Sequence, residues 1–107
     1  MDLRPVKSKT SLSELALLVS GTCHARETVT GITHDSRSVR PGDLFVALPG
    51  SNGHGIEYVD QALSNGAIAV ATDSTGYKSL GSKQVPCLEL TDARKDMAKL
   101  AAKIYGH

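Results

Sequence analysis

Leu44-Phe45-Val46-Ala47-Leu48, then Pro49-Gly50-Ser51-Asn52-Gly53-His54-Gly55, then Tyr58-Val59 with Ala62-Leu63, then Ala67-Ile68-Ala69-Val70-Ala71: this succession decides the fold. The first and last stretches are apolar at every position, as in strands buried on both faces of a sheet. Between them the apolar residues recur at helical spacing, and Asn65-Gly66 gives that helix a stop. Strand, helix and strand predict a right-handed β-α-β crossover with the two strands parallel. In such sheets ligands gather beyond the carboxyl ends of the strands. The glycine-rich loop from Gly50 to Gly55 lies at such an end.

Upstream, Ser11-Leu12-Ser13-Glu14 has the capping-box pattern. Leu12, Leu15, Ala16 and Val19 follow at three-to-four spacing, and Gly21 offers a left-handed stop. Met1 to Thr10 lacks periodicity and reads as a loose lead-in. Val29 and Ile32, set among threonines, suit a short strand, with the polar run His34-Asp35-Ser36-Arg37-Ser38 at its carboxyl end. Arg40-Pro41-Gly42-Asp43 has the chemistry of a type II turn. Asp73 to Gly81 reads as polar and turn-rich. Val85 to Leu90 is a further strand, with Pro86 confined to its start or an edge. Asp92 caps a last helix that carries Met97, Leu100, Ala101 and Ile104 on one face. The expectation is a single small α/β domain with a central, mostly parallel or mixed sheet flanked by helices.

Composition narrows the function. With 107 residues the chain is one domain at most, and 40% apolar residues suit a globular core. Twelve basic against eleven acidic residues leave a net charge of +1, too little field to favour a nucleic acid or an anionic membrane. No stretch approaches the roughly 20 apolar residues of a membrane span. Leu15 to Val19 is too short for a signal-peptide core, so a cytoplasmic location is expected. Cys23 and Cys87 form no Cys-x-x-Cys, and their spacing leaves a disulfide between them open. His24, His34, His54 and His107 with Cys23 lack metal-ligand spacing, so no metal is expected. Lys95, Lys99 and Lys103 read as the solvated face of the last helix. Four aromatic residues are too few for a base-stacking platform.

Two loops are the site candidates. Gly50, Gly53 and Gly55 leave backbone amides open to an anion, and Ser51 and Asn52 add donors suited to phosphate or sugar. The bland alternative is a connection that glycine merely makes easy. His34-Asp35-Ser36 invites a triad, but neighbours in an extended segment point to opposite sides, and no Gly-x-Ser-x-Gly elbow surrounds Ser36. Asp35 is better employed accepting amides from the Arg40–Asp43 turn, Arg37 in an ion pair, and Ser36 as a hydroxyl donor to a ligand.

The run Gly31-Ile32-Thr33-His34-Asp35-Ser36-Arg37-Ser38-Val39-Arg40-Pro41-Gly42-Asp43-Leu44-Phe45-Val46-Ala47-Leu48-Pro49-Gly50 resembles the N-terminal domain of Mur ligases, the ATP-dependent amino-acid ligases of peptidoglycan assembly. The similarity continues through Tyr58, Ala62, Gly66-Ala67 and Ala69-Val70 to Tyr105-Gly106-His107. It is greatest to the E type, which adds diaminopimelate or lysine to UDP-N-acetylmuramoyl-L-alanyl-D-glutamate. The F type, which adds D-Ala-D-Ala, is the nearest competitor. A free-standing nucleotide-sugar-binding module and an interaction domain without a small ligand are the other readings.

The resemblance implies that this domain holds the UDP end of the substrate through Ser36, His34, Ser51, Asn52 and Gly53. His34 replaces an apolar residue common in the family, and His54 stands where aspartate is frequent. No Gly-x-x-x-x-Gly-Lys-Ser/Thr loop is present. ATP, magnesium and the amino-acid pocket are accordingly expected in central and C-terminal domains outside residues 1–107. The chain by itself is expected to hold no catalytic residue and no cofactor, and to lack ligase activity.

Overall fold

The computed structural model describes residues 10–23, 27–50, 53–81 and 83–105. In chain order the elements are β1 (Thr10–Ser11), α1 (Leu12–Val19), β2 (Thr22–Cys23), β3 (Thr28–Val29), β4 (Gly31–Thr33) and β5 (Asp43–Ala47). They continue with β6 (Pro49–Gly50), β7 (Gly53–His54), α2 (Val59–Ser64), β8 (Ala69–Thr72), α3 (Ser74–Leu80), β9 (Cys87–Glu89) and α4 (Ala93–Tyr105). The main sheet has the order β2-β9-β8-β5-β4. Its last four strands are parallel, and β2 joins β9 antiparallel. The expected α/β fold with a mostly parallel sheet is present, and the β5-α2-β8 crossover lies at its centre.

Strand alternation explains why β5 is apolar throughout. Leu44 and Val46 face a core shared with Leu12, Leu15, Leu88, Leu100 and Ile104. Phe45 and Ala47 face a second core with Ile56, Val59, Ala62 and Leu80. A strand with successive side chains in two cores has no solvent face to mark with polar residues.

The local signals mostly held. Ser11 caps α1, its hydroxyl accepting from Glu14 N–H at 3.1 Å. The Arg40–Asp43 turn forms with Gly42 at φ +93° and Asp43 N–H donating to the Arg40 carbonyl at 3.1 Å. Asp92 caps α4 through Lys95 N–H at 3.2 Å. Leu100 and Ile104 are buried, Met97 and Ala101 pack against them, and Lys95, Lys99 and Lys103 are exposed.

Several expectations are corrected. Thr10 is a buried strand residue paired with Val29 and no part of a loose lead-in; the rest of that expectation, residues 1–9, lies outside the described residues. The left-handed stop of α1 is Ser20, at φ 55°, rather than Gly21. Gly21 serves a close approach instead, because a Cβ there would sit 2.7 Å from the Glu89 carbonyl oxygen. Pro49–Gly50 pairs with Gly53–His54 as two antiparallel strands, β6 against β7, where the sequence suggested loop. Residues 74–80 form helix α3, where the sequence suggested turns. Its cap is Asp73, whose side chain accepts from Gly76 N–H at 2.9 Å. Lastly, Asp43 rather than Asp35 braces the turn, its Oδ2 accepting from Arg40 N–H at 2.9 Å.

Candidate functional site

Parallel pairing of β4 with β5 sets Thr33 beside Phe45, so the segments that follow both strands emerge at one edge of the sheet. There His34 to Arg37 form one wall of a cleft of about 430 Å³. Phe45, Tyr58 and Gln61 form the rest.

The His34 to Ser38 segment is shaped by its own side chains. Thr33 Oγ1 accepts from Asp35 N–H at 3.1 Å. Asp35 then caps a tight helical turn over Ser36–Ser38, accepting from Arg37 N–H at 2.9 Å. The Arg37 guanidinium closes back on the same carboxylate with Nε at 3.1 Å and Nη2 at 3.2 Å. These side-chain bonds, followed by the backbone bond, hold the Asp35 carboxyl below the usual carboxylate range and raise Arg37. With the Arg37 side chain 80% exposed, the pair orients a cation at the rim and adds little to stability.

Ser36 is 7% exposed and lines the cleft. Its hydroxyl donates to Gln61 Oε1 at 2.5 Å, and its carbonyl accepts from Asn65 Nδ2 at 2.9 Å. The Ser36 hydroxyl proton is thereby engaged by Gln61, which α2 carries to the cleft. Neither Asp35 nor Ser36 has His34 as its hydrogen-bond partner, which removes the triad geometry. Tyr58 is 56% exposed, so its ring faces the cleft and solvent rather than the core.

The hairpin β6–β7 emerges at the same edge. His54 Nδ1 accepts from Ile56 N–H at 3.0 Å, which puts the ring proton on Nε2, where it donates to Asp73 Oδ1 at 2.9 Å. Arg94 Nη2 donates to the Pro49 carbonyl. The hairpin is thus tied to α3 and to the start of α4. Gly53 has φ +133° and is not among the residues lining the cleft; Ser51 and Asn52 lie outside the described residues. Of the sequence-selected residues, the cleft brings together His34 and Ser36. Among the described residues no group of three or more His, Cys, Asp or Glu side chains could hold a metal ion. No helix among them is long and apolar enough to cross a membrane.

The model of the Mur ligase family, catalytic domain, matches residues 28–105. The chain belongs to the Mur ligase family. A UDP-N-acetylmuramoyl-L-alanyl-D-glutamate--2,6-diaminopimelate ligase of Streptomyces avermitilis is 50% identical over 101 residues, covering 94% of this chain and 20% of that protein. The Streptomyces coelicolor protein of the same name is also 50% identical, covering 97% and 21%. This Mur ligase domain therefore spans about one fifth of the length of those relatives. Among solved structures, MurF from Acinetobacter baumannii superposes with a TM-score of 0.70 at 22% identity, covering 89% of this chain and 21% of that one. That likeness shows the fold. MurF ligase from Thermotoga maritima, solved in complex with ADP, superposes at 0.55 with 31% identity over 70% of this chain and 16% of that one.

In this Mur ligase domain the sequence reading missed Gln61 and misplaced Tyr58. One signal was available: the two stand three residues apart, on one side of a helical turn. The His54–Asp73 tie also went unseen. Burial pulls the Asp73 carboxyl up, but bonds from Gly76 N–H and His54 outweigh it and leave it below its ordinary 3.8. A lowered folded-state pKa stabilises above the unfolded value, and that contribution disappears as pH falls through the folded one. Stability should therefore drop on acidification from about pH 5 to about pH 3, and Asp73→Asn should flatten the drop. Urea midpoints at the two pH values check this; equal slopes in both proteins would remove Asp73 from the account.

Proposed function

We propose that this chain is the UDP-binding domain of an E-type Mur ligase. The parent would add diaminopimelate or lysine to UDP-N-acetylmuramoyl-L-alanyl-D-glutamate. The observation that carries the reading is the cleft itself: buried Ser36 bonded to exposed Gln61, beside the exposed ring of Tyr58, with Arg37 at the rim. A planar base with hydrogen-bonding edges suits the pair and the Tyr58 ring, and a pyrophosphate suits the cation. Ser36, His34, Ser51, Asn52 and Gly53 are assigned to UDP. The E type is favoured over the F type because identity to the diaminopimelate ligases reaches 50%, against 22% and 31% to the two MurF structures.

ATP, magnesium and the reacting groups are assigned to the parent's other domains, so the isolated domain binds and does not catalyse. The domain is assigned to the cytoplasm, where nucleotide-linked precursors are made, with no nucleic-acid or membrane partner. Much of the substrate would touch those other domains, so UDP alone should bind weakly. Calorimetric titration of the 107-residue chain should show UDP binding in preference to ADP. Ser36→Ala should lose roughly 0.5–1.5 kcal/mol of UDP binding with little change in melting temperature, because Gln61 can turn to water. No preference for UDP, or a Ser36→Ala protein that binds as the parent does, would overturn the assignment.

A further inference from the structure

β4 stands last in the main sheet, so the backbone groups on its outer side face no neighbouring strand there. At Ile32 a side chain takes that place. Tyr105, at the end of α4, accepts from Ile32 N–H at 3.0 Å and donates to the Ile32 carbonyl at 3.1 Å. One hydroxyl thus satisfies both outward groups of a residue 73 positions away in sequence. A Cβ on Gly31 would come within 3.5 Å of the same hydroxyl, so the ring end lies close over the strand.

Hydrogen bonds lead from this point to the cleft. Next to Ile32, Thr33 Oγ1 accepts from Asp35 N–H at 3.1 Å. The Asp35 carbonyl accepts from Ser38 N–H at 2.9 Å, closing the turn that carries Ser36. The other end of the linkage is rigid, because Leu100 and Ile104 anchor α4 in the same core as Ile32.

We propose that Tyr105 is a positioning residue for the nucleotide cleft, its hydroxyl holding the open edge of β4 so that the His34–Ser38 segment presents Ser36 to the ligand. This rests on the UDP-binding reading. Only a residue that can accept and donate through one atom makes both bonds to Ile32. Phenylalanine keeps the ring and loses both, which leaves the strand edge to water.

The test is Tyr105→Phe in the 107-residue chain, read by amide hydrogen exchange without ligand and by UDP titration. Exchange should quicken at Ile32 and, several-fold, at Asp35 and Ser38, while Val70 and Leu90 in the sheet centre keep the parent's rates. The UDP dissociation constant should rise about three- to tenfold at a temperature where both proteins are folded. Ile104→Val supplies the control: it trims the same helix end without touching the hydroxyl, and should leave both readouts at parent values. Faster exchange confined to Ile32, or UDP affinity within about twofold of the parent, would overturn the proposal. The same loss of affinity in Ile104→Val would also overturn it. If the parent does not bind UDP, the functional reading fails, and exchange at Asp35 and Ser38 alone decides the role of Tyr105.

Discussion

Phe45→Ala is expected to lose about 3–5 kcal/mol of folding stability, the usual cost of removing a buried aromatic ring. For a domain of this size that lowers the melting temperature by about 15–25 °C. The ring is 1% exposed, in the middle of β5, and packs in the core with Ile56, Val59 and Ala62. β8, which pairs beside it, contributes Val70 to that core and cannot collapse into the space without breaking the ladder. Phe45 also backs the cleft, so the loss should appear twice: in the melting curve and, below the transition, in UDP affinity. Phe45→Leu keeps most of the buried area and should lose roughly half as much stability. A Phe45→Ala protein melting within about 5 °C of the parent would show that the ring is not packed as described.

Gly76→Ala sets two effects of opposite sign against each other. Alanine in a helix interior is favoured over glycine by about 1 kcal/mol. Against this, a Cβ at position 76 would lie 2.0 Å from Thr72 Oγ1 and 2.9 Å from His54 Cε1. Thr72 is fully buried, and its hydroxyl donates to the Ala47 carbonyl at 3.0 Å, so it cannot turn aside without stranding that bond. Overpacking and the strained hydrogen bond together cost about 2–4 kcal/mol. Sterics therefore win, and the net loss should be about 1–3 kcal/mol. Adding Thr72→Ala makes room, so the double variant should be more stable than the two single losses predict, by about 1 kcal/mol. Strict additivity in the melting curves would sink the clash as the cause.

The two variants probe different kinds of information. Phe45 was legible as a core residue because an unbroken apolar run admits few other readings. Gly76 was not. It falls within Asp73 to Gly81, which reads as polar and turn-rich, and helix α3 was missed with it. A glycine there meets a need set by Thr72 and His54, one of them on a hairpin more than twenty residues upstream.

The site divides in the same way. Ser36 and His34 could be assigned to a cleft because they follow a strand at a carboxyl edge, and the family resemblance pointed to the same place. Gln61 and Tyr58 reach it only because the crossover brings α2 and the turn before it back over β5. Asp35 and Asp43 are both acidic residues near one turn, and no pattern of spacing chose between them. The choice fell to Asp43 because Asp35 already caps its own turn and pairs with Arg37.

By itself the sequence determined the central crossover, the Arg40–Asp43 turn, the caps at Ser11 and Asp92, the buried face of α4 and the family. Each rests on residues within a few positions of one another, where periodicity and turn chemistry act directly. The tertiary structure alone decided that Ser20 and not Gly21 ends α1, that α3 exists, that His54 is tied to Asp73, and that Tyr105 closes the edge at Ile32. These depend on how near two distant segments come, to within a fraction of an ångström. Backbone approach and hydrogen-bond partnership at that scale are set by the packing of the whole sheet, and local sequence carries no record of them.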